Sequence, residues 1–208
     1  MITILNLSRR AQGMNDAVCD LILAGLADKG LAAQQFRARD LTIQFCTNCR
    51  SCMKPAGDHI GPCPLADDVE SLLTALMQSK VIIVSAPINC YDLPSILHVL
   101  IERMGVFCYW PDDSYSPKVR KVQQDIKGIL ITTSAMPGLM VPFTTQARKT
   151  FRLFGKPLGI KRIKYLHLGF KGRKADMVIT EKDRNAVRKL IAHLATEATT
   201  TAPLKDLN

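Results

Sequence analysis

Apolar runs and amphipathic stretches alternate along this chain from its first residues. Ile2–Leu7 is a continuous apolar run and reads as a buried strand. Beyond a polar loop, Asp16–Lys29 repeats Ala17, Val18, Leu21, Ile22, Ala24 and Leu26 near helical spacing, and Gly30 stops it. A short strand is expected around Leu31–Arg37. From Asp40 to Cys63 the periodicity disappears and cysteines cluster. It resumes at Ala66–Ser79, a helix that turns Val69, Leu72, Leu73 and Leu76 inward. Val81–Pro87 is the most strand-like segment, and Leu93–Met104 is a further amphipathic helix. After the long irregular stretch Gly105–Asp125, the pattern predicts a strand at Gly128–Ala135 and a helix at Thr144–Phe154. A strand at Arg162–Leu168 and a helix at Thr180–Thr196 complete it.

The count is five strands alternating with five helices. Strands that are apolar throughout, joined by helices, imply a parallel α/β sheet covered on both faces. Residues 1–196 read as one domain with a cysteine-rich insertion at 44–65, and residues 197–208 as a loose polar tail.

Composition narrows this picture. With 208 residues, 47% hydrophobic and 22% charged, the chain can bury a sizeable core and is not disordered as a whole. No apolar run is long enough to span a membrane. The leading apolar run precedes Arg9 and Arg10, the reverse of a secretory signal. The seven cysteines are therefore expected in a reducing cytoplasm, as metal-binding or catalytic sulfur rather than a disulfide scaffold.

Ligands of such a sheet sit at the carboxyl ends of the strands, near the point where strand order reverses. Three loops leave strand ends there. In Ser8–Asn15 a hydroxyl, a guanidinium and a side-chain amide precede a helix, which suits a phosphate. The same loop also reads as an ordinary turn with Asn15 or Asp16 as N-cap. Ala86–Asp92 puts Pro87 at a strand end and Pro94 early in the next helix. Its Cys90 reads more readily as a buried packing residue than as a nucleophile. Thr132–Gly138 is small and polar, either a turn or a source of backbone donors.

Together these segments resemble the flavodoxin-like NAD(P)H-dependent FMN reductases, and among them the iron–sulfur flavoproteins, from Met1 to about Thr196. Ser8, Arg10 and Gly13 match a Ser-Pro-Arg-x-x-Gly-Asn-Thr-like loop, from which Met14 and Asn15 depart. Ser85-Ala86-Pro87-Ile88-Asn89 matches a strand ending in Ser-Pro-x-Tyr, with Asn89 in place of the aromatic. Leu97–Arg103 matches the helix that follows it. The resemblance implies a doubly wound five-stranded sheet of order 2-1-3-4-5. It also implies FMN held by Ser8, Arg10, Gly13, Met14, Asn15, Pro87, Ile88, Asn89, Cys90, Thr133, Ser134, Ala135 and Gly138. NAD(P)H would be the reductant, with a flavin, quinone or other small molecule as acceptor and a homo-dimer or tetramer as the assembly. Cofactor-borne hydride transfer needs no catalytic triad, so none is sought. The other reading is an FMN electron-transfer protein reduced by a protein partner.

Cys46, Cys49 and Cys52 form C-x2-C-x2-C, and Cys63 follows after ten intervening residues. Three thiolates at this spacing and a distant fourth can hold a [4Fe–4S] cluster. Zinc, and thiols without metal or in a reversible disulfide, stay open beside it. Between Lys118 and Lys174 fourteen Lys and Arg face a single acid, Asp125, in a chain of net charge +10. That stretch is either a solvated face or a surface for an anionic partner, a nicotinamide dinucleotide phosphate or an acidic protein. No recognition helix or stacking motif marks it for nucleic acid. Tyr109 and Trp110 either cover a flavin across a dimer interface or pack on their own subunit. His98, set in an apolar helix, reads as structural.

Overall fold

The computed structural model describes residues 1–120, 125–171 and 179–200. A five-stranded sheet forms its centre: β1 (Ile2–Asn6), β2 (Ala33–Arg37), β3 (Val81–Pro87), β6 (Ile126–Thr133) and β7 (Ile160–Leu168). Its order is β2-β1-β3-β6-β7, and every pairing is parallel. This is the 2-1-3-4-5 arrangement implied by the resemblance. Beside the sheet, β4 (Cys108–Tyr109) and β5 (Lys118–Val119) form an antiparallel ribbon of their own.

The apolar runs pack on both faces because successive side chains alternate across the sheet. Leu5, Ile82, Val84 and Leu130 point to one side, where α2 (Val69–Met77), α3 (Ser95–Arg103) and α5 (Ala147–Gly155) bring Leu72, Leu76, Leu97, Leu100, Phe151 and Phe154. Ile4, Ile83, Ile129 and Ile131 point to the other. There α1 (Met14–Ala27) and α6 (Glu181–Thr200) contribute Val18, Ile22, Leu26, Val187, Leu190 and Ile191. A single helical turn, α4 (Val141–Thr144), lies between β6 and α5. Gly128 admits close packing of the first layer, since a Cβ there would come within 2.6 Å of Ile160.

Several boundaries differ from the sequence reading. The first helix starts at Met14 with Gly13 as its N-cap, not Asn15 or Asp16. The strand expected at Gly128–Ala135 begins and ends two residues earlier, because Ile126 and Lys127 pair with β7 through an irregular register. Pro94 is the N-cap of α3 and lies outside it. The stretch expected to be irregular at Gly105–Asp125 holds the β4–β5 ribbon, whose two-residue strands carry no periodicity. α6 continues to Thr200, and residues 201–208 lie outside the described residues. No helix among the described residues is long and apolar enough to cross a membrane.

Phe151 is fully buried and stacks on Phe154 with ring centroids 6.3 Å apart. Phe151→Ala should lower unfolding stability by about 3–5 kcal/mol. A denaturant titration would show this as an earlier midpoint at unchanged slope.

Candidate functional site

The tips of β1, β3 and β6 meet at the start of α1, and buried polar side chains hold them there. Asn15 donates from Nδ2 to Thr133 Oγ1 (3.1 Å) and accepts at Oδ1 from the Ser85 hydroxyl (3.0 Å). One residue on, Asp16 accepts from Asn6 Nδ2 (2.6 Å), from the Gln12 backbone N–H (2.7 Å) and from Arg39 Nη1 (2.8 Å). Gln12 takes positive φ (55°) in the loop that brings its N–H to that carboxylate. Burial pushes the Asp16 carboxyl up, but Arg39 and the other donors outweigh it and hold it below the ordinary carboxylate value. Asn15 was expected in the ligand cradle, yet its amide is committed to joining three elements.

Above these tips opens a crevice of about 500 Å³, within the range of sites for cofactor-sized ligands. Ser8, Arg10, Gly13, Met14 and Asn15 line one side. Pro87, Ile88 and Asn89 come from the end of β3, and Thr133, Ser134 and Ala135 from the end of β6. Eleven of the thirteen residues anticipated for the cofactor thus share one cavity; Cys90 and Gly138 are not in its lining. Leu7, Arg9, Pro94 and Lys171 line it as well. Among the described residues, Arg9, Arg10 and Lys171 are the charged members of the lining, and none is a carboxylate. Gly13 supplies no side-chain cap to α1, so the first-turn amides keep their donor capacity and the positive end of the helix dipole.

The donors along the walls are fewer than the sequence suggested. The Ile88 N–H donates to Thr133 O (2.8 Å), the Asn89 N–H to Asp92 O (2.8 Å) and the Ser134 N–H to Leu168 O (3.4 Å). Asn89 and Asp92 close a turn whose central residues, Cys90 and Tyr91, both lie at positive φ (46° and 64°). Such a turn favours Asn-Gly, so a Cys-Tyr pair there is strained. Cys90 is exposed at its tip, contrary to the buried packing role anticipated. His98, expected to be structural, contacts Asp92 of this turn. It is exposed on α3, with Nε2 3.2 Å from Asp92 Oδ2. His167 lies behind Ser134, its Nδ1 2.8 Å from Thr132 Oγ1 and its Nε2 3.2 Å from Met136 O. Burial pushes its pKa below the ordinary imidazole value, only partly offset by the Met136 carbonyl.

Cys46, Cys49, Cys52 and Cys63 line a separate small cavity of about 80 Å³. Arg103 donates there to Cys63 Sγ (3.4 Å) and from the same nitrogen to Asp67 Oδ1 (3.1 Å). Burial raises the Cys52 thiol, and the neighbouring sulfurs of Cys63, Cys46 and Cys49 raise it further. Among the described residues, however, no three His, Cys, Asp or Glu side chains are grouped to hold a metal ion. The cluster expected from the spacing gains no support from this geometry. Arg120 anchors the segment, donating to the carbonyls of Cys52, Pro55, Gly57, Val106 and Cys108. Gly61 fits against it because any Cβ would overlap the Cys52 carbonyl.

Tyr109 and Trp110 pack within their own subunit, under the guanidinium groups of Arg120 and Arg50 respectively. Among the described residues of the basic stretch, Lys171 alone lines the crevice. Arg148 and Arg152 stack on Tyr165, and Arg162 pairs with Asp125 at 3.2 Å. Lys121, Arg173 and Lys174 lie outside the described residues.

Residues 1–157 match the family model described as NADPH-dependent FMN reductase. No curated protein matches the sequence. Among solved structures, an NAD(P)H:quinone oxidoreductase from Methanothermobacter marburgensis superposes with TM-score 0.66 at 15% identity, covering 95% of this chain and 96% of that one. An FMN-dependent NADH-azoreductase from Bacillus anthracis, in complex with FMN, gives 0.65 at 12% identity, covering 95% and 98%. A flavone reductase gives 0.66 at 12% identity; 95% of this chain is covered but only 62% of the flavone reductase. At these identities the likeness is one of fold.

Asn15→Ala leaves the Ser85 and Thr133 hydroxyls without their partner, so a loss of about 2–4 kcal/mol is expected by chemical denaturation. Ligand affinity at the crevice should fall as well. Asp16, Asp67 and Asp183 are all held below the ordinary carboxylate value, burial being outweighed by Arg39, Arg103 and Lys171 respectively. Their contribution is complete above the unfolded-state value near pH 4 and is lost as pH falls through the folded values. Acid titration followed by circular dichroism should therefore show unfolding below about pH 4, and Asp16→Asn should flatten that transition.

Proposed function

This chain belongs to the NADPH-dependent FMN reductase family and is an oxidoreductase, and from that membership we propose that it binds FMN in the crevice at the tips of β1, β3 and β6. NAD(P)H would be its reductant, and a flavin, quinone or other small molecule its acceptor. The carrying observation is the crevice itself. It lies at the reversal point of the sheet, has room for a flat ring, and is lined among the described residues by cations and no carboxylate, beside a helix start without a side-chain cap.

When bound, the flavin supplies the redox chemistry, taking a hydride from the nicotinamide and passing electrons to the acceptor. Ser8, Arg10 and the first amides of α1 receive the phosphate. Pro87, Ile88 and Asn89 form one wall for the ring, and Thr133, Ser134 and Ala135 the other. With Ile88, Asn89 and Ser134 amides engaged inside the protein, these walls act more by shape and water exclusion than by donating to the ring edge. His167 stays neutral near pH 7 and holds the Ser134–Met136 loop through Met136 O. The walls of the crevice would hold the flavin in one orientation and keep water from it, which supplies the proximity that a nicotinamide would need.

In this reading residues 1–196 act as one flavodoxin-like domain in a reducing cytoplasm, with 44–65 as an insertion to which no catalytic step is assigned. Tyr91, Leu139, Phe143 and Phe170 are exposed on segments next to the crevice lining, and they support assembly as a homo-dimer or tetramer.

Protein purified with FMN should show a flavin band near 450 nm that bleaches on anaerobic addition of NADPH or NADH and recovers with a quinone. Absence of bleaching with both nucleotides would remove the reductase assignment. Bleaching only by a reduced protein donor would select the electron-carrier alternative.

A further inference from the structure

Lys171 belongs to the basic stretch singled out in the sequence and lies beyond the residues matched by the family model. It follows β7 by three residues, and its backbone N–H donates to Ser134 O (2.7 Å), which seats it against the β6 wall of the crevice. Its side chain is only 7% exposed, yet it lines that crevice. Nζ lies 2.5 Å from Asp183 Oδ2, whose own side chain is 8% exposed. The Asp183 carboxylate is fixed in turn at the start of α6, accepting from the Thr180 N–H (2.9 Å) and hydroxyl (2.6 Å).

A buried ion pair gains little stability over an apolar pair of the same shape, since desolvation offsets the attraction. Its presence at the wall of an open cavity therefore calls for something in the cavity. An ammonium carries three donors, and Asp183 accepts one of them. α6 lies beside α1, with Gly25 of α1 against Ile191 of α6. Both helices follow parallel strands of one sheet, so both begin at the end where the crevice opens. The Lys171 ammonium thus shares the cavity with Arg10 and the unblocked first turn of α1.

Resting on the functional reading above, we propose that Lys171 binds a phosphate monoester in the crevice, with Asp183 as the positioning residue that holds its ammonium in place. Two ligands of this enzyme class carry that group, the flavin mononucleotide and NADPH.

The test compares wild type, Lys171→Met, Lys171→Arg and the double variant Lys171→Met with Asp183→Asn, which leaves no orphaned buried carboxylate. Flavin fluorescence quenching would be measured with FMN and with riboflavin, which lacks the phosphate. Loss of one charge-assisted contact should weaken FMN binding by about 10- to 100-fold in both Met variants. Riboflavin binding should change less than about threefold, and Lys171→Arg should keep most of the FMN affinity. If the phosphate is instead that of the dinucleotide, FMN affinity stays at the wild-type value. In FMN-loaded protein the KM for NADPH then rises about tenfold or more while that for NADH does not. Equal effects on FMN and riboflavin, together with equal effects on both nucleotides, would overturn the proposal and leave Lys171 a packing group. Wild-type protein that binds neither flavin would overturn the functional reading first, and this proposal with it.

Discussion

Three strand ends can serve as one site only if their spacing is fixed, and in this protein that spacing is set by a knot of buried polar side chains. Asn15 joins α1 to β3 and β6 through Ser85 and Thr133. Asp16 joins the same helix to β1, to the loop before it and to Arg39 beyond β2. Each bond contributes modestly on its own, but leaving any of these groups buried without a partner costs more than the bond gains. The loops of the crevice inherit their positions from this arrangement. Apolar packing beneath could not do the same, because hydrophobic contact has no direction.

Much of the fold is legible in the sequence because a parallel sheet covered on both faces leaves its strands no polar alternation. Ile2–Asn6 and Val81–Pro87 are apolar for that reason, and their runs locate the central strands. β6 was misplaced by two residues because Lys127 interrupts its apolar run while still pairing with β7. The β4–β5 ribbon carries no such signal, since two residues are too few for any period. Most of the crevice could be read from the loops after three strands. Asn15 could be located but not interpreted: nothing local shows that its amide is spent on Ser85 and Thr133. Lys171 could be read only as one cation of the basic stretch, because its place at the crevice depends on Asp183, across a stretch of chain with no motif.

The cysteine-rich stretch is held on a different principle. It buries few large apolar residues, and guanidinium groups stand in for them. Arg120 collects five carbonyls from both sides of the stretch. Arg103 binds Asp67, the Gln44 carbonyl and Cys63. A planar group with five donors suits that role where a lysine would not. The four thiols are thereby gathered at one cavity without being brought to metal-holding positions, so proximity in sequence and in space falls short of a coordination site.

Charge completes the argument, and at a shorter range than the net +10 suggests. Of the fourteen cations between Lys118 and Lys174, six sit on β7 and α5, where water and salt screen them and where stacking on Tyr165 or pairing with Asp125 occupies several. Among the described residues, Arg9, Arg10 and Lys171 are the cations that line the crevice. Arg9, Arg10 and Lys171 bring positive charge to that cavity, and Asp183 offsets Lys171 from behind. A ligand that binds the folded chain and not the unfolded one stabilises the fold by mass action, so an anion held at these cations would add to the bonds that already fix the three strand ends.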